Sequence, residues 1–419
     1  MKPFFFFFTF LATILTSYSQ DLTDAVRFGR EELSGTARFT AMSGAFGALG
    51  GDLTSIGINP AGSAVFLGST STLSLQVENN RNRSFYRNGL TENSEAEFDL
   101  NQAGVVFVFP NPDTSSGFHK FTLGIQYDQI ANFDNTFYAV GTNINSIGGY
   151  FLHRANGIPL DFLNIRSGET LSGLYQYLGT ADLGFNNYDM QNALLGYQAF
   201  IFDPVDSNDP DNTAYVSNVT GNSFNQEYSQ FSTGSNGKVV FNVGTQFKEN
   251  LYLGFNLNAH YINYERTTVF NETNQNPGSE IQDIYFENTL ATYGSGISVQ
   301  LGGIYKFNDM FRMGWSYTSP TWYVLTDETL QYLQTFSGIE GQVVADPRVL
   351  NVFPEYRLRT PGKYTGSFAV VFGQAGLISV DYSYKDYSNT KFDSDFGNYF
   401  SELNQTIENN LQEIGRAHV

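Results

Sequence analysis

The chain has 419 residues, with 22 Lys plus Arg against 41 Asp plus Glu; the resulting charge of −19 argues against a nucleic-acid partner. Cysteine is absent, which removes disulfides, thiolate nucleophiles and Cys-ligated metals. With 39 Phe, 26 Tyr, 41 Gly and only 15% charged residues the composition is β-rich, and a mean hydropathy of −0.25 excludes a multi-helix membrane protein but not a barrel, whose strands hide apolar side chains by alternation.

The first element is a secretory signal. Lys2 precedes an apolar run from Phe4 to Leu15, and the small residues Ser17 and Ser19 occupy the two positions a signal peptidase reads before Gln20, so cleavage is expected after Ser19. The run is about 12 residues long where a spanning helix needs roughly 20, so residues 1–19 read as removed on export rather than as an anchor. Residues 20–68 follow, with the small-residue run from Ala41 to Asp52 and no strand period; side chains this small allow the segment to thread inside something larger.

Period-2 alternation then sets in over residues 69–142 and returns over 223–400. Leu251, Leu253, Phe255, Leu257, Ala259 and Tyr261 alternate with Tyr252, Gly254, Asn256, Asn258 and His260. About ten segments carry this pattern, with 224–233 and 238–247 counted separately and turns at Lys248-Glu249-Asn250, Asn308-Asp309 and Gly373-Gln374-Ala375-Gly376, so the sheet reads as antiparallel. A soluble sandwich also alternates. The signal, the strand length and the Gly, Ser, Asn and Gln of the polar face favour an all-β transmembrane antiparallel β-barrel with a wet lumen. Trp315 with Tyr317, and Trp322 with Tyr323, read as interfacial belt residues.

Between the two strand regions, residues 143–222 form a long insertion with amphipathic stretches near 158–165, 171–178 and 188–202 and an acidic loop from Asp203 to Asp211. It reads as a partly helical extracellular lid, because barrels carry their long loops outside. Residues 401–412 read as a helical linker to further strands, and residues 413–419 as a non-native tail resembling translated sequencing adapter, which implies a truncated record.

Gly35 to Phe39, Gly50-Gly51-Asp52 and Ile58-Asn59-Pro60-Ala61-Gly62 resemble the N-terminal hatch of the FadL/TodX-type (OMPP1) outer-membrane transport family, with Asn59-Pro60-Ala61 in the place of its NPA motif. The stretch from Arg359 to Tyr387 is similar to a barrel hairpin of the same family, especially its Bacteroidetes members. The resemblance implies a monomeric fourteen-stranded barrel in lipid and lipopolysaccharide, plugged by its hatch, that takes up long-chain fatty acids or other hydrophobic small molecules passively. It places Asn59, Pro60, Ala61 and Gly62 in the hatch. The ten segments found fall short of fourteen.

Catalytic signals are few, and no enzyme activity or cofactor is expected. His119, His153, His260 and His418 show no metal-ligand spacing, and no GxSxG elbow is present. Haem uptake, with His153 as a ligand, and calcium binding at the acidic loop stay open as lesser readings. Arg312, Asp381 and Lys385 fall on the polar face, where they would pair across the lumen or meet a ligand carboxylate. The lid residues Phe151, Leu160, Phe162, Leu163, Leu174 and Tyr177 are the candidate apolar ligand groove. An alternative function is a shuttle or scaffold barrel that binds a partner protein in secretion.

Overall fold

The computed structural model describes residues 22–113, 115–395, 397, 399–411 and 413–418; the expected signal at 1–19 lies outside the described residues. Alternating side chains fold the sequence into one large curled antiparallel sheet. β1 (Thr70–Tyr86) and β2 (Gly89–Pro110) form a hairpin, and β3 (Phe118–Asn132) continues into β4 (Asn135–Asn143). The lid follows, carrying the short pair β5 (Phe202–Pro204) and β6 (Tyr215–Ser217). β7 (Phe224–Phe247), β8 (Leu251–Asn274) and β9 (Ile281–Lys306) are long and unbroken.

β9 then pairs with two successive strands, β10 (Phe311–Thr318) and β11 (Trp322–Ser337), which are separated at Ser319-Pro320-Thr321, where proline has no N–H to give to the ladder. The chain returns in pieces as β12 (Gly341–Ala345), β13 (Asn351–Val352), β14 (Tyr356–Arg359) and β15 (Lys363–Val371), then as β16 (Leu377–Asp386) and β17 (Lys391–Asp393). The last strand, β18 (Glu413–His418), pairs with β16, so residues read from sequence as a tail occupy a place in the sheet. Among the described residues β1 and β18 are the two ends of the strand order. The sequence reading counted 224–233 and 238–247 as separate segments; β7 instead keeps one register with β8 from Phe224 to Phe247.

The outward face of the lower wall, toward the 248–250 and 307–310 turns, carries an apolar belt, interrupted beside Leu253 by Thr245 and Gly303. Leu253, Phe255 and Leu257 of β8 lie beside Val243 and Phe241 of β7 and Leu301 of β9, all exposed. From Leu253 to Tyr261 the belt covers about 27 Å along the strand, or about 19–22 Å of height at the tilt usual for outer-membrane barrels, against an apolar band about 25 Å tall. Above it the same faces turn polar, with Asn263, Glu265 and Asn271 on β8 and Asp283 and Glu287 on β9. Trp315 and Trp322 face outward, as expected for belt residues. Tyr323 does not: one residue beyond Trp322, it points inward and is buried, because successive side chains of a strand take opposite faces. No described helix is long and apolar enough to cross a membrane.

Three bodies fill the inside of the curl. The N-terminal segment starts with α1 (Leu22–Gly29) and α2 (Ala37–Ala41) and continues through two 3₁₀ turns, Thr54–Gly57 and Pro60–Val65. At the opposite end the lid carries α3 (Gly148–Ala155), α4 (Leu171–Thr180) and α5 (Asn187–Gln198). Thr170 and Asn186 cap α4 and α5 by accepting the N–H groups of Gly173 and Asp189. The third body, α6 (Ser401–Asn410), buries Leu403 and Ile407, four residues apart on one face, against Phe392, Phe400 and the α1 region. Residues 401–412, expected to be helical, are helical over α6.

Candidate functional site: a plug docked on the lumen wall

The lower lumen is built from two parallel rows of inward-facing residues that run across neighbouring strands. In one row Asn242 faces Asn256, which faces Gln300; two residues nearer the turns, Gly244 faces Gly254, which faces Gly302. The period of two puts both rows on the lumen face of the same strands. Asn242 donates to Asn256 Oδ1 at 2.7 Å and Asn256 to Gln300 Oε1 at 2.9 Å. Each amide also reaches a main-chain carbonyl of the N-terminal segment: Asn242 to Pro60 at 3.0 Å, Asn256 to Ile56 at 2.9 Å, and Gln300 to Ile58 at 2.9 Å. Ser316 adds a 2.7 Å bond to the Ile58 carbonyl.

The glycine row explains why the segment comes so near. A Cβ on Gly254 would overlap the Pro60 carbonyl carbon, one on Gly302 the Asn59 side chain, and one on Gly244 the Ser63 hydroxyl. Gly314 meets the Gly47 carbonyl in the same way. Glycine inside a strand weakens it, so four in one patch mark a place where another backbone must approach closely.

The docked face of the plug is the turn from Asn59 to Val65. Asn59 stands in extended backbone, and its Oδ1 accepts the Ala61 N–H at 3.1 Å while Pro60, whose fixed φ suits a first helical position, starts the 3₁₀ turn. Asn59 Nδ2 donates to Gly47 within the plug at 2.7 Å and to Gly303 of the wall at 3.0 Å. Elsewhere the Gly47 N–H meets Asp381 at 2.8 Å, Lys120 reaches the Phe66 carbonyl at 2.6 Å, and Arg312 reaches the Leu49 carbonyl at 3.4 Å. Thr36 caps α2 and donates to Asp52 at 2.8 Å, fixing the approach to the docked turn.

Between the plug and α1 lies a cavity of about 350 Å³, lined by Val26, Phe28, Leu33 and Ile58 on its apolar side and by Lys238, Lys363, Lys385, Glu31 and Asp128 on its polar side. Lys363 and Lys385 face each other across β15 and β16 and converge on Glu31, at 2.5 Å and 3.2 Å. Burial alone would raise the Glu31 carboxyl; Lys363 and Lys385 outweigh it and hold the group well below the usual carboxylate range. His260 sits deep in the wall, its Nε2 at 2.8 Å from Ser298 Oγ.

The lid closes the other end. Its core buries Met190, Leu194 and Leu195 of α5 against Ile281, Ile284 and Leu333 of the wall. Glu272, 1% exposed, anchors α3: its carboxylate accepts the Ile147 N–H at 2.9 Å, the Ser146 hydroxyl and the Gln226 amide at 2.6 Å.

The sequence-derived residues separate by location. Asn59, Pro60, Ala61 and Gly62 come together in the docked turn. Arg312, Asp381 and Lys385 all face inward, but each binds the N-terminal segment: Arg312 and Asp381 its main chain, Lys385 both the Gly29 carbonyl and Glu31. The six lid residues do not form one groove. Phe151, Leu160 and Leu163 are buried in the lid core, Phe162 and Leu174 are half-buried around it, and Tyr177 is 55% exposed. His153 is exposed on α3, His119 lies at the turn end of β3, and among the described residues no group of three His, Asp or Glu side chains is placed to hold a metal ion. In the acidic loop Asp206 and Asp209 accept the N–H groups of Asn208 and Asp211. Sequence reading missed the glycine and amide rows, Glu31, Lys363 and Glu272; glycine recurring on the polar face of successive strands was the available signal for the first.

The fold and site define a β-barrel wall around an N-terminal plug, under a helical lid. No family model matches the chain, and no curated protein matches it. Among solved structures it is similar to the Pseudomonas putida toluene transporter TodX, with 13% identity, a TM-score of 0.42 and cover of 93% of this chain and 78% of that one. It is also similar to the CymD monoaromatic hydrocarbon channel, with 12% identity, a TM-score of 0.40 and cover of 88% and 74%.

Proposed function

We propose that the chain is an outer-membrane channel of the FadL/TodX type, exported by its N-terminal signal, that takes up hydrophobic small molecules passively as a monomer, with long-chain fatty acids as the ligand class. The observation that carries this reading is the plug. A wall with an apolar outer belt encloses a segment held by hydrogen bonds and close packing on glycines, contacts that form and break without chemistry.

Capture starts at the lid surface, where Tyr177 is exposed and Phe162 packs edge-on against Phe185 with centroids 6.1 Å apart. Burial of apolar ligand surface, at about 25 cal/mol per Å², drives entry. Phe151, Leu160 and Leu163 hold the lid in shape, and Asn59, Pro60, Ala61 and Gly62 act as the hatch whose release lets ligand pass.

Titration of the detergent-folded barrel with a fluorescent long-chain fatty acid tests the reading, beside an Asn59→Ala, Pro60→Ala variant. Saturable binding by the parent that changes in the variant supports it. A correctly folded parent without saturable binding overturns the fatty-acid assignment.

A further inference from the structure

Three levels follow one another up the lumen face of β10 and β11. Ser316 bonds the plug, Tyr323 and Leu325 belong to the core that holds α1 and α6, and Leu333 belongs to the lid core. On β8 the middle level begins at Ile262, about 20 Å along the strand from the Asn256 that docks the plug. A molecule that travels from the lid to the plug therefore crosses a layer that contains α6. One half of this layer is α1, whose Ala25 and Phe28 are buried with Phe133 and Tyr264. The other half comes from the C-terminal part of the chain. Phe392 of β17 pairs with Leu358 of β14, after which the chain leaves the wall and α6 folds inward, burying Leu403 and Ile407 in the same core. Tyr356, Phe392 and Phe400 form a triangle of rings beside them, with centroids 5.5 to 5.9 Å apart.

α6 is weakly built and weakly tied. Its sequence is rich in Asn, with Ser and Thr beside them, all poor helix formers, and no side chain caps its N-terminus. Its 10 residues are too few to hold a helix alone in water. Among the described residues its side-chain hydrogen bonds to other elements are both made by Asn404, which accepts the Phe392 N–H and donates to the Phe392 carbonyl, each at 2.8 Å. The bonds of Thr406 and Asn410 stay within the helix. What remains is the apolar contact of Leu403 and Ile407, and that is the kind of contact a hydrocarbon replaces and an ion or a sugar does not. We propose that α6 is an inner gate of the lumen, separate from the plug: in the resting protein it seals the middle level against ions and polar solutes, and a hydrophobic small molecule opens it by taking the place of Leu403 and Ile407 in the core. Cargo then covers the apolar surface that the helix uncovers, so opening costs less with cargo than with water.

The proposal rests on the uptake reading for its cargo and adds the element that admits it. The full chain, folded in detergent, is tested first without ligand. Leu403→Ser with Ile407→Ser loosens α6: ion leak across a planar bilayer rises by about fivefold or more and amide exchange over residues 401–410 quickens, while exchange over residues 54–65 of the plug stays as in the parent. Asn404→Ala, which keeps both apolar side chains, leaks less than the double variant and more than the parent. The second test uses the absence of cysteine, which makes one introduced thiol unique. Dodecanol speeds maleimide labelling of Ile407→Cys by about fivefold or more, glucose does not, and labelling of Leu163→Cys in the lid core changes less than about twofold. A folded double variant that leaks no more than the parent overturns the seal. Dodecanol that binds the parent yet leaves Ile407→Cys as protected as before overturns the gate. If dodecanol does not bind the parent at all, the uptake reading fails with the gate, and leak in the double variant still decides whether α6 is a seal.

Discussion

Asn59 Nδ2 donates to the Gly303 carbonyl at 3.0 Å, a contact that joins the turn of the plug to a wall residue 244 positions away. The same amide holds Gly47 and caps its own 3₁₀ turn through Oδ1, and the side chain is fully buried. Asn59→Ala removes the cap and takes one donor from each of two buried carbonyls, those of Gly47 and Gly303, a cost of about 1–3 kcal/mol. Asn59→Asp is expected to be worse, because it sets a carboxylate against those same carbonyls. Ion conductance across a planar bilayer checks this: leak rises from parent to Ala to Asp while the β-sheet circular dichroism is unchanged.

Gly254→Ala is the cleanest test of the glycine row. Its methyl group would overlap the Pro60 carbonyl, and the plug has to shift at a cost of about 1–3 kcal/mol. Gly366→Ala is the control, since a Cβ there meets nothing within 4 Å and strand propensity changes equally. The expected outcome is faster amide exchange over residues 54–65 in Gly254→Ala and parent-like exchange in Gly366→Ala.

The wall was legible in the sequence because alternation is local: Leu253, Phe255 and Leu257 against Gly254, Asn256 and Asn258 name their own faces. The purpose of Gly254 was not, since the group it makes room for is Pro60, far away in the chain. Residues 224–233 and 238–247 were counted as two segments because the glycines and asparagine between them break the alternation, yet pairing with β8 runs through this stretch, with Gly234 at a positive φ. Phe151 and Tyr177 look alike as apolar lid residues; only the packing of α3, α4 and α5 separates a core side chain from an exposed one. Asn59 and Pro60 were found through resemblance, and their hydrogen-bond partners became visible only in the folded chain.

Glu272 is expected to set the stability of the lid. Glu272→Gln keeps the size but loses the charge that strengthens its bonds to the Ile147 N–H, the Ser146 hydroxyl and the Gln226 amide. The loss is about 1.5–3 kcal/mol for hydrogen bonds to a charged group, confined to the lid. Limited proteolysis checks it: cleavage in the 203–211 loop accelerates, while the wall strands stay protected.

The apolar belt makes a depth-dependent prediction. Leu257→Arg places a cation in the middle of the outer belt and is expected to destabilise the folded barrel in lipid by about 2–4 kcal/mol. Asn271→Arg, on the same face of β8 above the belt, is expected to cost less than about 1 kcal/mol. Urea unfolding in phospholipid vesicles measures both, and equal costs at the two positions would refute immersion of the lower wall.

The tie of Glu31 to Lys363 and Lys385 should respond to acid only within the carboxylate range. Burial pushes its carboxyl up, but Lys363 and Lys385, with a weaker contribution from Lys238, bring it well below the ordinary value, so its folded pKa lies under the unfolded one of about 4.3. A depressed carboxylate contributes stability that is complete above the unfolded pKa and is lost as pH falls through the folded one. Exchange over residues 22–34, corrected for intrinsic rates, is therefore flat from pH 8 to about 5 and rises only below about pH 4. Glu31→Gln carries no such carboxylate, so its exchange starts faster and shows no step there. A parent profile that steps near neutral pH would mean that a group other than Glu31 sets the pH response of residues 22–34.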